Sequence, residues 1–506
     1  MAIIDLLKNG KDSATAIGGV ENAKPLTYAA LRKLVDATVA RLNELGVGRG
    51  ERVGIVLPNG PEMATSFVSI AAGAVTAPLN PAYRAEEFEF YLTDLRAKAL
   101  VIERGMQTPA REVAKKLRLP VVELIAHRDQ GAGAFTLEPV DALSGKAGSP
   151  GPSRDDDEAL VLHTSGTTSR PKIVPLLQRN LMATARHISG TLALTPSDIC
   201  LNIMPLFHIH GLMAATLSSL NVGAAVHCTP GFNALKFFSW LDEVKPTWYT
   251  AVPTMHQAIL SRAERNQEIV ARSRLRFIRS SSSSLPPQVM AELEKVFRCP
   301  VIEAYGMTEA SHQMASNPLP PRPRKPGFVG VAAGPEIGIM DEEGKLLPSG
   351  EIGEVVIRGP NVTPGYEANP EANAKAFTNG WFRTGDQGSI DSEGYLQLTG
   401  RLKELINRGG EKISPLEVDV VLMDHPAVQQ CVTFAMPHDK LGEEVAAAVV
   451  LREGTTATER ELRDFAAQKL ADFKVPRKIV VLPEIPKGAT GKLQRIGLAK
   501  KLGLGQ

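Results

Sequence analysis

The sequence predicts an α/β fold, a large layered body followed by a small, mobile α+β domain. Two observations carry the prediction. Apolar runs of strand length alternate with segments of helical spacing as far as Arg401, where a short polar junction precedes a tail with strand and helix signals of its own. With 506 residues and 43% hydrophobic content, the chain can bury two or more cores. The predicted division is 1–401 and 402–506.

Along the chain, Leu31, Leu34, Val35, Val39, Leu42 and Leu45 recur at helical spacing and stop at Gly46. Arg52-Val53-Gly54-Ile55-Val56-Leu57 then reads as a buried strand ended by Pro58-Asn59-Gly60, the pattern of a helix feeding a parallel sheet. The unit repeats with a helix from Glu62 to Ala72, and again with Phe237 to Val244 before the strand Trp248-Tyr249-Thr250-Ala251-Val252. Leu275-Arg276-Phe277-Ile278 is a further strand. Between Gln130 and Asp157 the composition turns to Gly, Ala, Ser, Pro and Asp, as in a surface connection. Leu160-Val161-Leu162-His163 follows as a buried strand. Past Arg401, strands at Gln430 to Phe434 and Glu444 to Val450 and a helix from Glu459 to Leu470 suffice for a small domain.

Composition narrows the function. A net charge of +2, with no basic run interleaved with aromatics, gives no drive toward nucleic acid or an anionic membrane, so the partners are small molecules. Cys200, Cys228, Cys299 and Cys431 lack metal-ligand spacing and read as buried free thiols in a reducing compartment. The amino terminus carries charge too early for a secretory segment, and the carboxyl end carries no anchor or peroxisomal tripeptide. The apolar stretch from Gly211 to Val226 is interrupted by Ser218, Ser219 and Asn221 and is too short to span a bilayer. A cytoplasmic enzyme, monomeric or homodimeric, is the expectation.

Thr164-Ser165-Gly166-Thr167-Thr168-Ser169-Arg170-Pro171-Lys172, directly after a buried strand, describes a loop suited to a polyphosphate. Its hydroxyls and backbone N–H groups can converge on phosphate oxygens while Lys172 adds positive charge. It is not a Walker A loop, since no Gly-Lys pair in the chain has the required spacing. Taken alone, such a segment is equally a Ser/Thr-rich surface turn.

Four further elements stand in order with this loop: Pro205-Leu206-Phe207-His208-Ile209-His210-Gly211, Tyr305-Gly306-Met307-Thr308-Glu309, Thr384-Gly385-Asp386 with Gly400-Arg401, and Pro486-Lys487-Gly488-Ala489-Thr490-Gly491-Lys492. Together they resemble the adenylate-forming superfamily of acyl-CoA synthetases, luciferases and carrier-protein adenylation domains. Within it the chain is most similar to the oxalate-CoA ligases, through His163 to Lys172, Pro246 to Thr254 and Ile406 to Pro415.

The resemblance implies two half-reactions that use ATP, Mg²⁺ and coenzyme A: a carboxylate attacks the α-phosphorus of ATP, and the thiol of coenzyme A then displaces AMP. Because a carboxylate is already ionised at neutral pH, the first step needs cations and oriented donors to offset anion–anion repulsion, not a general base. The resemblance gives Lys492, Thr308, Glu309 and His208 as catalytic residues, with Glu309 the Mg²⁺ ligand. Thr164, Ser165, Gly166, Thr167, Thr168 and Lys172 would hold phosphates, Glu303, Ala304 and Tyr305 would line the adenine site, Asp386 would accept from the ribose hydroxyls, and Arg401 would sit near the ribose or phosphate. Lys403 is the expected hinge, and Gly409 and Gly410 the face presented for thioester formation.

For the acid, a dianion such as oxalate needs its distal carboxylate paired, since an unpaired charge cannot be desolvated cheaply. His210, His312, Ser281, Ser282 and Ser283, beside Arg279, are the expected carboxylate contacts. A medium-chain or aromatic acid in an apolar pocket, a carrier-protein adenylating enzyme and an inactive nucleotide sensor remain the alternative readings.

Overall fold

The computed structural model describes residues 1–141, 143, 145–164, 171–488 and 490–504. The α/β architecture that the sequence predicts is the one observed. The helix Tyr28–Glu44 is capped by the Thr27 side chain, which accepts from the Ala30 N–H, and it buries Leu31, Val35, Val39 and Leu42 on one face. It precedes Arg52–Val56, which pairs in parallel with Val75–Pro78 and with Ala99–Glu103. The expected helices materialise as Pro61–Ala71 and Phe237–Val244. The expected strand at 275–278 begins later, at Phe277–Ser281, and the helix from Glu459 stops at Ala467 rather than Leu470.

Among the described residues four sheets form. One, seven-stranded, contains Arg52–Val56 and ends at the antiparallel pair Glu158–His163 and Ile173–Leu177. A nine-stranded sheet has at its centre the parallel series Ile199–Asn202, Trp248–Ala251, Phe277–Ser281 and Val301–Met307. These central strands are buried on both faces, so the polar side chains within them, Thr250, Arg279 and Glu303 among them, are buried as well. A five-stranded antiparallel sheet includes Trp381–Ile390 paired with Leu396–Arg401. After the turn Leu402–Glu404, a last five-stranded sheet runs over Ile406–Arg408, Glu411–Ile413, Val428–His438, Gly442–Leu451 and Lys478–Val481, with helices Pro415–Met423 and Glu459–Ala467.

The apolar stretch after Gly211 folds as a wide, π-type helix His210–Leu217 followed by Ser218–Leu220, fully buried. Its hydroxyls are accommodated by back-bonding. Thr216 donates to the Gly211 carbonyl at 3.0 Å and Ser219 to Ala215 at 2.7 Å, so neither is left unpaired in the core. No described helix is long and apolar enough to cross a membrane. All four cysteines are buried and free, as expected.

Candidate active site

In a parallel sheet, ligands gather at the carboxyl ends of the strands, where connecting loops leave a crevice. The predicted residues follow that rule. His208 and His210 come after Ile199–Asn202, Ser281 to Ser283 end Phe277–Ser281, and Thr308 and Glu309 follow Val301–Met307. Val301–Met307 continues into the one-turn helix Thr308–Ala310, and the chain doubles back as the antiparallel strand His312–Ser316. Gly306 is demanded by this reversal, because a Cβ there would lie 1.8 Å from the His312 carbonyl oxygen. His312 takes a left-handed φ of +113° and Ser282 one of +73°. Such conformations in non-glycine residues persist only where surrounding structure enforces them, and they concentrate at functional sites.

On one side of the crevice, charges are paired. Asp386 and Arg401 are cross-strand neighbours, with Arg401 Nε 3.4 Å from Asp386 Oδ1, and the Tyr305 hydroxyl donates to Asp386 Oδ2 at 2.5 Å. Burial raises the Asp386 carboxyl above its ordinary value, while Arg401 and Tyr305 oppose the rise. Gly385, at φ +75°, makes the kink that turns Asp386 inward, and the Asp386 N–H donates to Thr384 Oγ1 at 3.1 Å. Glu309 is buried and accepts from the Tyr366 hydroxyl at 2.8 Å; burial raises its carboxyl above the usual range. The Lys172 ammonium lies 4.4 Å from the centre of that tyrosine ring. Thr164 and Lys172 pin the two ends of the expected phosphate loop, the Thr164 N–H donating to the Lys172 carbonyl and the Lys172 N–H to Thr164 Oγ1. The loop residues Ser165, Gly166, Thr167 and Thr168 lie outside the described residues.

The opposite side is cationic. His210 is fully buried, its Nδ1 3.0 Å from Ser282 Oγ and its Nε2 2.6 Å from Thr250 Oγ1. The Arg279 guanidinium, also fully buried, stands 3.4 Å from His210 Nε2 and from Thr250 Oγ1, and donates to Gln313 Oε1 at 3.3 Å. His312 packs edge-on against His210 with ring centres 4.9 Å apart, and neither of its ring nitrogens has a hydrogen-bond partner. His208 Nδ1 accepts from the His210 N–H at 3.3 Å. Burial and the neighbouring cations hold all three imidazoles in the neutral form, His208 down to about 3. Lys492 is close enough to depress each of them, and burial with the Arg401 charge brings its own ammonium down to about 8. The lysine is delivered by a tight loop in which the Gly488 N–H donates to the Lys492 carbonyl at 2.8 Å and Thr254 Oγ1 donates to the Gly491 carbonyl at 2.7 Å.

Not every expected residue faces the crevice. Ser281 donates to the Ala304 carbonyl at 2.8 Å, so its hydroxyl proton and the Ala304 oxygen are committed to the sheet. Glu303 Oε1 accepts from the Leu285 N–H at 2.8 Å, its Oε2 has no partner, and burial raises its carboxyl to about 8, keeping it neutral. Lys403 is exposed in the turn that leads to the last sheet, and Gly409 and Gly410, at φ +61° and +100°, form the turn between Ile406–Arg408 and Glu411–Ile413. Tyr366, Thr250, Thr254 and Gln313 were not foreseen. Of the residues around His210, Ser282 and His312 were expected contacts, and Arg279 had its signal as the cation beside the serine run Ser280 to Ser284.

Comparison with known proteins bears on the whole chain. The AMP-binding enzyme profile matches residues 8–367, and that of the AMP-binding enzyme C-terminal domain matches residues 417–492. The chain is 48% identical to an oxalate–CoA ligase of Arabidopsis thaliana, over 93% of this chain and 92% of that protein. It is 42% identical to an oxalate–CoA ligase of Saccharomyces cerevisiae, over 90% of this chain and 87% of that one. Among solved structures, ATP-bound MatB from Rhodopseudomonas palustris aligns with a TM-score of 0.88 at 29% identity and covers 99% of both chains. Matched by one profile over most of its length and by a second over its final sheet, the chain belongs to the family of AMP-binding enzymes.

Proposed function

We propose that the protein is an ATP-dependent acid–CoA ligase that forms an acyl-AMP and then an acyl-CoA thioester, and that its acid is oxalate. The observation that carries the choice of acid is the buried, uncompensated Arg279 beside His210 and His312. A guanidinium at that depth without a carboxylate partner is costly, and a dianionic substrate supplies the missing charge. An apolar acid would leave it unpaired. The names of the two similar ligases point the same way.

In the first step a carboxylate oxygen attacks the α-phosphorus as the bond to pyrophosphate breaks. Lys492, seated beside the histidines and within the field of Asp386, is the group to bridge the attacking carboxylate and the α-phosphate. Asp386 accepts from the ribose hydroxyls with two oxygens already oriented by Tyr305 and Arg401. Tyr305 lines the adenine side, and Thr308 supplies a donor to the α-phosphate. Glu309 fits a magnesium ion, being a buried carboxylate fixed by the Tyr366 hydroxyl, with phosphate oxygens to complete the shell. Among the described residues no group of three or more His, Cys, Asp or Glu converges, so the nucleotide must provide ligands. When bound, the ion offsets phosphate charge.

For the second step the thiol of coenzyme A attacks the acyl carbon and AMP departs. The polar junction after Arg401 supports a rotation about Lys403 that withdraws the Lys492 loop and presents Gly409 and Gly410. The test is AMP and pyrophosphate release with ATP, Mg²⁺ and coenzyme A across oxalate, malonate, acetate, benzoate and hexanoate, with thioester products identified by mass. Oxalyl-CoA as the dominant product is the expected result; dominance of hexanoate or benzoate would overturn the choice of acid.

A further inference from the structure

His210 is neutral, so it carries one ring proton, and the position of that proton decides what Ser282 can offer to a ligand. We infer that Arg279 is a positioning residue that keeps the His210 proton on Nδ1 and thereby turns the Ser282 hydroxyl into a hydrogen-bond donor for the acid's carboxylate. The inference rests on the acid-ligase reading of this pocket and goes beyond it, since it assigns Arg279 an action through His210 rather than through its charge alone.

The steps follow from donor and acceptor capacity. A guanidinium has only donors. Its Nη1 lies 3.4 Å from both His210 Nε2 and Thr250 Oγ1, so those atoms must accept from it. With the Thr250 oxygen accepting from Arg279, its own proton is directed at His210 Nε2, 2.6 Å away. Two donors thus converge on Nε2, which must carry the lone pair. The ring proton then sits on Nδ1 and is donated to Ser282 Oγ at 3.0 Å. Having accepted that bond, Ser282 turns its hydroxyl proton away from His210. The opposite tautomer would set a ring N–H against a guanidinium N–H and would draw the Ser282 proton back toward Nδ1, removing it from the ligand.

Two further observations fit. Gln313 Oε1 accepts from Arg279 Nη2 while Gln313 Nε2 donates to the Ala333 carbonyl at 3.0 Å, so the amide is oriented and the guanidinium cannot rotate away. The left-handed φ of +73° at Ser282 holds its Oγ within reach of His210, in a conformation that a serine does not adopt without cause.

The test uses the full-length enzyme labelled with ¹⁵N-histidine. The His210 signals are identified by their loss in His210→Asn, and the tautomer is read from the two nitrogen shifts in wild type, Arg279→Met and Arg279→Lys. Wild type is expected to show Nδ1 protonated, Arg279→Met to move the proton toward Nε2, and Arg279→Lys, which keeps a charged donor, to restore Nδ1. In steady state, Arg279→Met should raise KM for the best acid about tenfold while KM for ATP changes less than about twofold. Ser282→Ala should cost about tenfold in wild type but little in the Arg279→Met background, because both remove the same donor. Should Arg279→Met fail to fold, the two wild-type His210 nitrogen shifts still test the inference, which requires the proton on Nδ1. A wild-type His210 protonated on Nε2, an unchanged tautomer in Arg279→Met, or multiplicative losses from Arg279→Met and Ser282→Ala would overturn the inference. A wild-type preference for another acid would overturn the oxalate reading and leave the tautomer measurement intact.

Discussion

The two walls of the crevice treat charge in opposite ways. On the wall we propose for the nucleotide, Asp386 has Arg401 and Tyr305 as partners and Glu309 has Tyr366. Across the crevice, among the described residues, Arg279 hydrogen-bonds only to neutral groups of His210, Thr250 and Gln313, and neither ring nitrogen of His312 has a partner. A wall whose groups are paired internally can be assembled in advance and need only exchange partners with an incoming hydroxyl. The other is incomplete until an anion arrives, and it therefore discriminates between acids by charge more sharply than the nucleotide wall discriminates between nucleotides.

The contrast can be broken most directly at the residue that serves both walls. Lys492→Ala should lower acyl-AMP formation by about a hundredfold or more, as loss of a charge-stabilising group typically does. Thioester formation from supplied acyl-AMP should change far less, as measured by single-turnover assay; equal losses in both steps would show that the lysine does not belong to adenylation alone. Asp386→Ala should weaken the nucleotide wall only, raising KM for ATP by about tenfold or more at nearly constant KM for the acid.

A pH profile sharpens the comparison further. The Lys492 ammonium is held near 8, below its ordinary 10.5, so its charged form is lost as pH rises through about 8. In the free enzyme, kcat/KM for the acid should therefore fall by up to about tenfold per unit above that pH. Lys492→Arg, which stays charged, should flatten the fall. The unfolded lysine keeps its proton to higher pH, so this group's linkage makes folding more favourable between about 8 and 10.5.

Smaller effects are expected at the supports. Thr254→Val removes one neutral hydrogen bond to the Lys492 loop, worth about 1 kcal/mol, and should slow adenylation a few-fold while sparing the thioester step. Glu303→Gln should leave turnover nearly unchanged. Its signature is in stability: a carboxyl raised from 4.5 to about 8 makes the wild type lose stability as pH climbs through that interval, because the unfolded chain releases the proton first. The gap in Tm between Glu303→Gln and wild type should widen from pH 5 to pH 8, and a constant gap would remove the buried-acid interpretation.

Much of the fold was legible because its signal is local. The periodicity from Leu31 to Leu45 and the apolar run after Arg52 are properties of adjacent residues, and both elements appear within a few positions of where they were expected. The site was legible in its motifs, yet residue type could not tell which hydroxyls face the crevice. Ser281 and Ser282 are neighbours in a run of five serines, and only strand alternation and the left-handed turn separate the one bonded to Ala304 from the one bonded to His210. Tyr366 and Thr250 come from distant segments, and their roles arise from packing that no local pattern encodes. Glu303 sits two residues before Tyr305 in the same strand, yet its Oε1 is taken by the Leu285 N–H, a partner that residue type did not indicate.

Arg401 closes the strand Leu396–Arg401, and two residues later the chain reaches Lys403 in the turn that leads to the last sheet. The arginine paired with the Asp386 carboxylate is therefore also the last residue of its sheet before the turn to the next one. Reciprocity follows from thermodynamics alone: if a nucleotide alters the Asp386–Arg401 pairing and so biases where that next sheet sits, its seating must alter nucleotide affinity by the same factor. Because ATP and AMP bear the same ribose, a coupling routed through this pair acts on both alike, and a preference of one seating for ATP over AMP must come from contacts to the phosphates.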